Sequence, residues 1–331
     1  MSSGSPSSTS SITTDIRHAA ALLRDGRLVA FPTETVYGLG ANATSAMAVA
    51  QIFEAKQRPT FDPLIVHIAD LSQLDSVVAS IPPQARTLIQ NLWPGPLTLV
   101  LPKQDSIPDL VTAGLPGVGV RIPDHPVALE LLRAAGCPVA APSANPFGGI
   151  SPTTAQHVMD GLGSKVDCIL DGGPCAVGVE STVVSFMQPR PIMLRPGGCP
   201  IETIESLIGP IERAVSDPSQ DDAAQPAPGM LSRHYAPATS LMLVTHDTMA
   251  TAVPDRRCGL LTSAKQPFSG HFDRIIELSD TEDLQTCAAK FFASMRSLDS
   301  SGLDVIIAHL FPDYGLGIAL NDRLRRAACR D

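Results

Sequence analysis

The stretch EAKQRPTFDPLIVHI, residues 54–68, sets two cations against a proline and, one short turn later, closes an apolar run on an imidazole. Upstream, AMAVAQIFEAKQR places Val49, Ile52, Phe53 and Lys56 on one face by i, i+3, i+4, i+7 spacing, the mark of an amphipathic helix. Pro59 cannot continue that helix and disfavours helical geometry at Arg58 as well. Lys56 and Arg58 therefore stand at a helix C-terminus, and PLIVHIA follows as a buried strand. Helix, proline stop and buried strand in this order predict an α/β architecture.

Reading outward, DIRHAAALLRDGR forms a helix with Gly26 near its end, and LVAFP a buried strand. TETVYGLGANATS reads as a loop rich in hydroxyls and glycine. Further strands are expected at LTLVLP, VGVRIP, CPVAAPSA, DCILDGG and STVVSF, so a mixed α/β domain spans residues 12–209. Residues 1–11 are polar and unpatterned and read as a disordered tail. Residues 210–237 form a Pro/Ala/Asp-rich linker ending in MLSRHYAPATS, which carries too many specific side chains for a spacer. From 238 to 331, LMLVTH, CGLLTS, RIIELS and LDVIIAHLF alternate with the helices TEDLQTCAAKFFASMRSL and LGIALNDRLRRAA. This pattern predicts a smaller Rossmann-like parallel sheet.

Composition narrows the function. The chain has 331 residues, 44% of them hydrophobic, and a formal charge of −9, which argues for a folded core and against a broad nucleic-acid surface. Seven scattered cysteines show no zinc-ligand spacing, which fits reduced thiols in a cytoplasm, and no apolar run is long enough to span a membrane. Phosphate loops of the GxxxxGK[ST] type, dinucleotide fingerprints, GxSxG and HExxH are all missing. Taken singly, the remaining polar residues stay open to two readings. Lys56 and Arg58 either complement the helix macrodipole, worth about 0.3–1 kcal/mol each, or clamp a phosphate. His67 is a satisfied core histidine or a ligand, and Arg121 either pairs with Asp124 or binds an anion. Arg195 sits in a turn by either account. Ser143, Asn145 and Ser151 lie in APSANPFGGISPTT, a loop whose N–H groups and hydroxyls suit an anion.

The motifs FPTETVYGLGANA, AKQRPTFDPLIVHI, WPGPLTLVLP, VGVRIPDHP, APSANPFGGISPTTA, ESTVV, LRPGG and PGMLSRHYAP occur in that order. Together they resemble the threonylcarbamoyl-AMP synthase family, in the long form that joins a YrdC-like catalytic domain to a C-terminal domain. The resemblance implies a twisted mixed α/β domain with a large, concave, positively charged cavity. It implies condensation of L-threonine, bicarbonate and ATP to L-threonylcarbamoyladenylate and pyrophosphate, with Mg²⁺ carried by ATP rather than by protein ligands. A separate transferase, contacted transiently, then modifies tRNA next to the anticodon.

Residue by residue, Lys56, Arg58, Ser143 and Asn145 match the family's polar set around the nucleotide phosphates. Asp62, Gly117, Ser151 and Arg195 fall where it contacts ATP. Thr35, His67, Arg121, the backbone at Ala141, and Ser181 match its threonine site. SRHYAP is the expected lid, with Tyr235, and Arg233 or His234 beside it, touching the nucleotide. Two positions depart from the pattern: Asp62 replaces a common Asn, and Pro116-Gly117 replaces Asp-Thr, which leaves only backbone for a contact there. Two alternatives stay open. One is a carbamoyl-adenylate-forming enzyme like the hydrogenase maturation factors, whose acylphosphatase-like domain and zinc-binding cysteine pairs this chain lacks. The other is a non-enzymatic nucleotide- or RNA-binding module.

Overall fold

The computed structural model describes residues 11–214, 223–264 and 266–329. The first lobe runs β1 (Ser11–Thr13), α1 (Ile16–Arg24), β2 (Val29–Phe31), β3 (Gly38–Asn42), α2 (Ala46–Lys56), β4 (Ile65–His67), α3 (Pro83–Leu92), β5 (Leu97–Pro102) and α4 (Asp109–Thr112). It continues through β6 (Gly117–Arg121), α5 (Pro126–Ala135), β7 (Val139–Ala140), α6 (Ala155–Leu162), β8 (Cys168–Leu170), β9 (Thr182–Ser185), β10 (Ile192–Arg195), α7 (Ile201–Ile208) and β11 (Glu212–Arg213). The second lobe holds β12 (Ser240–Val244), β13 (Ala250–Thr251), β14 (Cys258–Thr262), β15 (Phe268–Ser269), β16 (Arg274–Glu277), α8 (Leu284–Asp299), β17 (Val305–His309) and α9 (Leu316–Ala328).

The eleven strands of the first lobe form one mixed sheet in the order β1-β8-β2-β3-β7-β4-β6-β5-β9-β10-β11. Strand alternation feeds two cores. Val29 and Phe31 pack with α1 and α5, whereas Ala30 between them joins the larger core on the opposite face, with α2 and α3. In the second lobe, β12-β17-β14-β16 pair in parallel throughout, as the apolar runs joined by helices predicted. Among the described residues no helix is long and apolar enough to cross a membrane.

Two expectations need adjustment. Gly38–Asn42, read as loop, is strand β3, hydrogen-bonded to β2 and β7. Its glycines hid it, and packing requires them: a Cβ at Gly40 would lie 2.8 Å from the Phe31 ring. Ser11, placed in the tail, belongs to β1 and pairs with Cys168, while residues 1–10 lie outside the described residues, as do linker residues 215–222.

The lobes share a core. Val36, Ile150 and Val179 of the first lobe cluster with Phe291, Phe292 and Leu320 of the second and with Tyr235 of the linker. Gly178 marks the contact: at φ +76° it sits so close to α8 that a Cβ would lie 2.3 Å from the Ala288 carbonyl. Phe291 is 1% exposed, so Phe291→Ala should lower the unfolding free energy by about 3–5 kcal/mol. Met242→Ala, at a half-exposed strand position, should change it by under about 0.5 kcal/mol. Denaturant midpoints compare the two, and equal midpoints would count against a packed junction.

Candidate active site

The site grows out of the opening helix and turn. Helix α2 ends at Gln57, whose left-handed backbone (φ 54°) turns the chain so that the Arg58 N–H bonds back to the Phe53 carbonyl. Both cations are thereby aimed inward: Lys56 is 2% exposed and Arg58 6%. Lys56 Nζ donates to the carbonyls of Ser143 (2.6 Å) and Asn145. Arg58 donates to the carbonyls of Asp62 and Pro63 and forms an ion pair with the Asp62 carboxylate at 2.9 Å. That pairing explains how a carboxylate is tolerated in this place: Asp62 is fully buried and faces Arg58. Burial raises the Asp62 pKa, with Arg58, Lys56 and Arg195 pulling against it. Burial and then Arg58 push the Lys56 ammonium well below its ordinary pKa, with Asp62 opposing. An added anion would relieve that shift.

A second group forms where β4 lies parallel to β6 in a register that sets His67 beside Arg121. Arg121 donates from Nε to His67 Nε2 (3.0 Å), from Nη1 to Glu34 (2.9 Å) and from Nη2 to Thr35 Oγ1 (3.0 Å). It pairs with Glu34 rather than with Asp124. Burial, then Arg121, hold the His67 pKa far below the usual imidazole value, so a neutral ring accepts that bond. The Ala141 N–H is engaged with the Ile65 carbonyl, which leaves its own carbonyl for any ligand.

Arg195, at the end of β10, completes the wall. It donates to the Ser181 carbonyl (2.9 Å) and to the Pro228 carbonyl of the linker (2.9 Å). The Ser181 hydroxyl shares a 2.8 Å bond with Thr98. Ser151 donates to Glu180, whose second oxygen accepts from Arg323 Nε of α9 at 2.8 Å. Burial opposes the charge on Arg323, yet Tyr235, Glu180 and Asp322 around it raise its pKa overall.

Thr35, Arg58, His67, Arg121, Ala141, Ser143, Ser181, Arg195, His234 and Tyr235 all line one cavity, of which about 50 Å³ stands open. Lys56, Asp62, Asn145 and Ser151 stand immediately behind that wall, each bonded to a residue in it or to its supporting loop. Gly117 does not line the cavity. It is four residues up β6 from Arg121, roughly 13 Å away, in an adjoining crevice with only about 10 Å³ of open space that shares Ile65 and Pro228 with the cavity.

The linker fills much of the hollow. Tyr235 is 2% exposed at φ +62°, and His234 lies between it and Phe147. Burial, then the surrounding cations Arg58, Lys56, Arg195 and Arg323, drive the His234 pKa well down. Sequence reasoning did not single out Glu34, Glu180 or Arg323. The two glutamates stand inside motifs already quoted, whereas Arg323 gives no signal apart from its fold. Among the described residues no group of three or more His, Cys, Asp or Glu could hold a metal ion. The carboxylates of the hollow, Glu34, Asp62 and Glu180, each face an arginine instead.

Comparison with known proteins agrees with this geometry. The family described as telomere recombination (Sua5, YciO and YrdC) matches residues 21–197. The one described as threonylcarbamoyl-AMP synthase, C-terminal domain, matches residues 199–329. The threonylcarbamoyl-AMP synthase of Bacillus subtilis (strain 168) is 46% identical over 323 residues, covering 95% of this chain and 92% of that protein. Its counterpart from Pyrococcus abyssi (strain GE5 / Orsay) is 44% identical over 326 residues, covering 95% and 94%. The crystal structure of P. abyssi Sua5 complexed with L-threonine superposes with a TM-score of 0.86 at 42% identity, over 95% of this chain and 94% of that one. Both lobes, the order of their motifs and the shared cavity thus converge: the chain belongs to the threonylcarbamoyl-AMP synthase family, in its two-domain form.

Proposed function

We infer that the chain condenses L-threonine, bicarbonate and ATP into L-threonylcarbamoyladenylate and pyrophosphate, the first step of threonylcarbamoyladenosine modification of tRNA. One observation carries this reading: a cationic phosphate-type wall (Arg58, Arg195) and an amino-acid-type group (Thr35, His67, Arg121, Ser181) share a single cavity. Two relatives that cover nearly the whole chain bear the synthase name.

The chemistry asks for such a cavity. The threonine amine and bicarbonate combine to a carbamate with loss of water. A carbamate oxygen then attacks the α-phosphorus of ATP, and pyrophosphate leaves. Two anions must meet, so fixed cations have to offset their repulsion, and prior binding removes the entropy cost of bringing them together. On this reading Lys56, Arg58, Ser143, Asn145 and Arg195 hold the phosphates, with Ser151 beside them and Asp62 fixing Arg58. Gly117 offers ATP only backbone, because a Cβ there would lie 2.9 Å from the Met187 sulfur. Arg121 takes the threonine carboxylate, while Thr35, Ser181 and the Ala141 carbonyl fix its polar end and His67 orients Arg121. Mg²⁺ carried on the triphosphate would supply further positive charge there. Carbamates lose CO₂ readily in water, so the linker residues over the cavity act as a lid. Tyr235 and His234 withdraw to admit ATP and return to exclude solvent. A cytoplasmic location and hand-over to a separate tRNA transferase extend the same reading, whereas the net charge of −9 argues against direct tRNA binding.

Three outcomes are expected. Pyrophosphate release from ATP should require both L-threonine and bicarbonate, and release at the same rate without threonine would refute the reaction. Lys56→Met should weaken ATP binding at least about tenfold by removing charge-assisted bonds, while threonine affinity stays unchanged; Arg121→Met should do the reverse. Calorimetric titration of each ligand separates the two, and a variant that weakens both equally would dissolve the division of the site. Finally, Tyr235→Ala should raise ATP hydrolysis relative to adenylate formation, and an unaltered ratio would remove the lid from the mechanism.

A further inference from the structure

We infer that Arg323, on the last helix of the C-terminal lobe, is a positioning residue for the nucleotide side of the site, fixing the Ser151 hydroxyl through Glu180 and the Tyr235 ring through its guanidinium face. The inference rests on the reaction proposed above and gives the second lobe a part in it.

The chain of contacts is short and buried throughout. Arg323 has no exposed surface and donates from Nε to Glu180 Oε2 at 2.8 Å, while the other oxygen of Glu180 accepts the Ser151 hydroxyl. Its guanidinium carbon lies 5.0 Å from the centroid of the Tyr235 ring, a cation–π distance. Asp322 binds Arg323 from the opposite side and accepts from Arg326, which donates in turn to the Met230 and Leu231 carbonyls of the linker. A second arginine of the same lobe, Arg296, grips the Ile150 and Ser151 carbonyls. The Ser151 backbone is thus held from α8 and its side chain from α9.

Packing alone does not call for this arrangement. A guanidinium withdrawn wholly from water is costly, and an apolar side chain of the same size would close the junction with no charge to satisfy. Moreover, Arg323 Nη2 and the Tyr235 hydroxyl are both buried without a hydrogen-bond partner. The Tyr235 hydroxyl lines the cavity with Arg195 and Glu180, where a phosphate oxygen could accept from it once the linker shifts, whereas Arg323 stands behind them. The planar fork of arginine suits these tasks together: one edge on a carboxylate, one face on an aromatic ring and one N–H in reserve. By contrast, the amino-acid group of Thr35, His67 and Arg121 makes no contact with Arg323, so the two halves of the site should respond differently when it is altered.

Three proteins test this: Arg323→Met, Arg323→Lys and the pair Arg323→Met with Glu180→Gln, which strands no Glu180 charge. Each full-length variant is followed by its thermal transition. Its affinity for a non-hydrolysable ATP analogue and for L-threonine alone is then measured, along with kcat for adenylate formation. Arg323→Met should weaken the analogue at least about tenfold and lower kcat about 100-fold, the effect of a misplaced contact. Threonine affinity should stay within about twofold. Arg323→Lys should recover only part of both losses, since an ammonium has neither fork nor face. Equal loss of both affinities, or no loss of either, would mean a packing role and overturns the inference. If Arg323→Met does not fold, the double variant decides: weak analogue binding by a folded protein supports the role, and normal binding refutes it. Should that variant also fail to fold, Arg323→Lys is judged by the same contrast. If the native chain binds both ligands yet forms no adenylate, the proposed reaction fails, while the affinity contrast still decides the role of Arg323.

Discussion

Five cations withdrawn from water in and around one hollow of a chain with net charge −9 are the constraint around which this structure is arranged: Lys56, Arg58, Arg121, Arg195 and Arg323. Taking a charge out of water costs several kcal/mol even after relaxation, so none of them could persist there unsupported. Each support is specific. Asp62 faces Arg58, Glu34 faces Arg121, and Glu180 with Asp322 faces Arg323. Lys56 and Arg195 instead rest on backbone carbonyls of Ser143, Asn145, Ser181 and Pro228. Carbonyls stabilise a cation without cancelling its charge. These two residues therefore keep the most attraction to offer an incoming phosphate, and both lie on the side assigned to the nucleotide.

The linker answers the same constraint. A hollow of this kind, if empty, would hold unshielded like charges close together. Tyr235 and His234 fill it with polarizable rings, at the cost of a left-handed backbone at Tyr235, a conformation that disfavours any residue with a Cβ by about 1–2 kcal/mol. The rings pack against Phe147, Phe292 and Arg323, so apolar contact offsets that strain. Such an occupant shields the cations from one another.

How much of this could be read from the sequence follows from the range of each interaction. Strands β5 and β17 and helices α2, α8 and α9 were legible because their signals are local: apolar runs, apolar periodicity and a proline stop. Strand β3 was not, since its glycines are required by contact with Phe31, which lies on the neighbouring strand. The site residues were individually ambiguous, and His67 beside Arg121 became meaningful only through the parallel register of β4 and β6. Gly117 was aligned with the site by motif, yet strand geometry carries it into the next pocket. Arg323 is the extreme case. In LNDRLRR it reads as one more cation on a solvated helix face, and only the fold shows it wholly buried, 143 residues from its carboxylate partner.

That distance in sequence separates the two halves of the site in physical character. The group of Thr35, His67 and Arg121 is assembled within the first lobe: the β4–β6 register sets His67 beside Arg121, and Thr35 reaches Arg121 from the loop between β2 and β3. The phosphate group draws on the α2 turn, the 143–151 loop, β10, the linker and the second lobe. A subsite built on adjacent strands can be rigid, whereas one closed by a linker opens and shuts at little cost to the core beneath it. Carbamate chemistry favours this division. In the proposed reaction the short-lived anion has to be formed beside a phosphorus already in place, a task that would suit a rigid half holding threonine and an adjustable half admitting ATP.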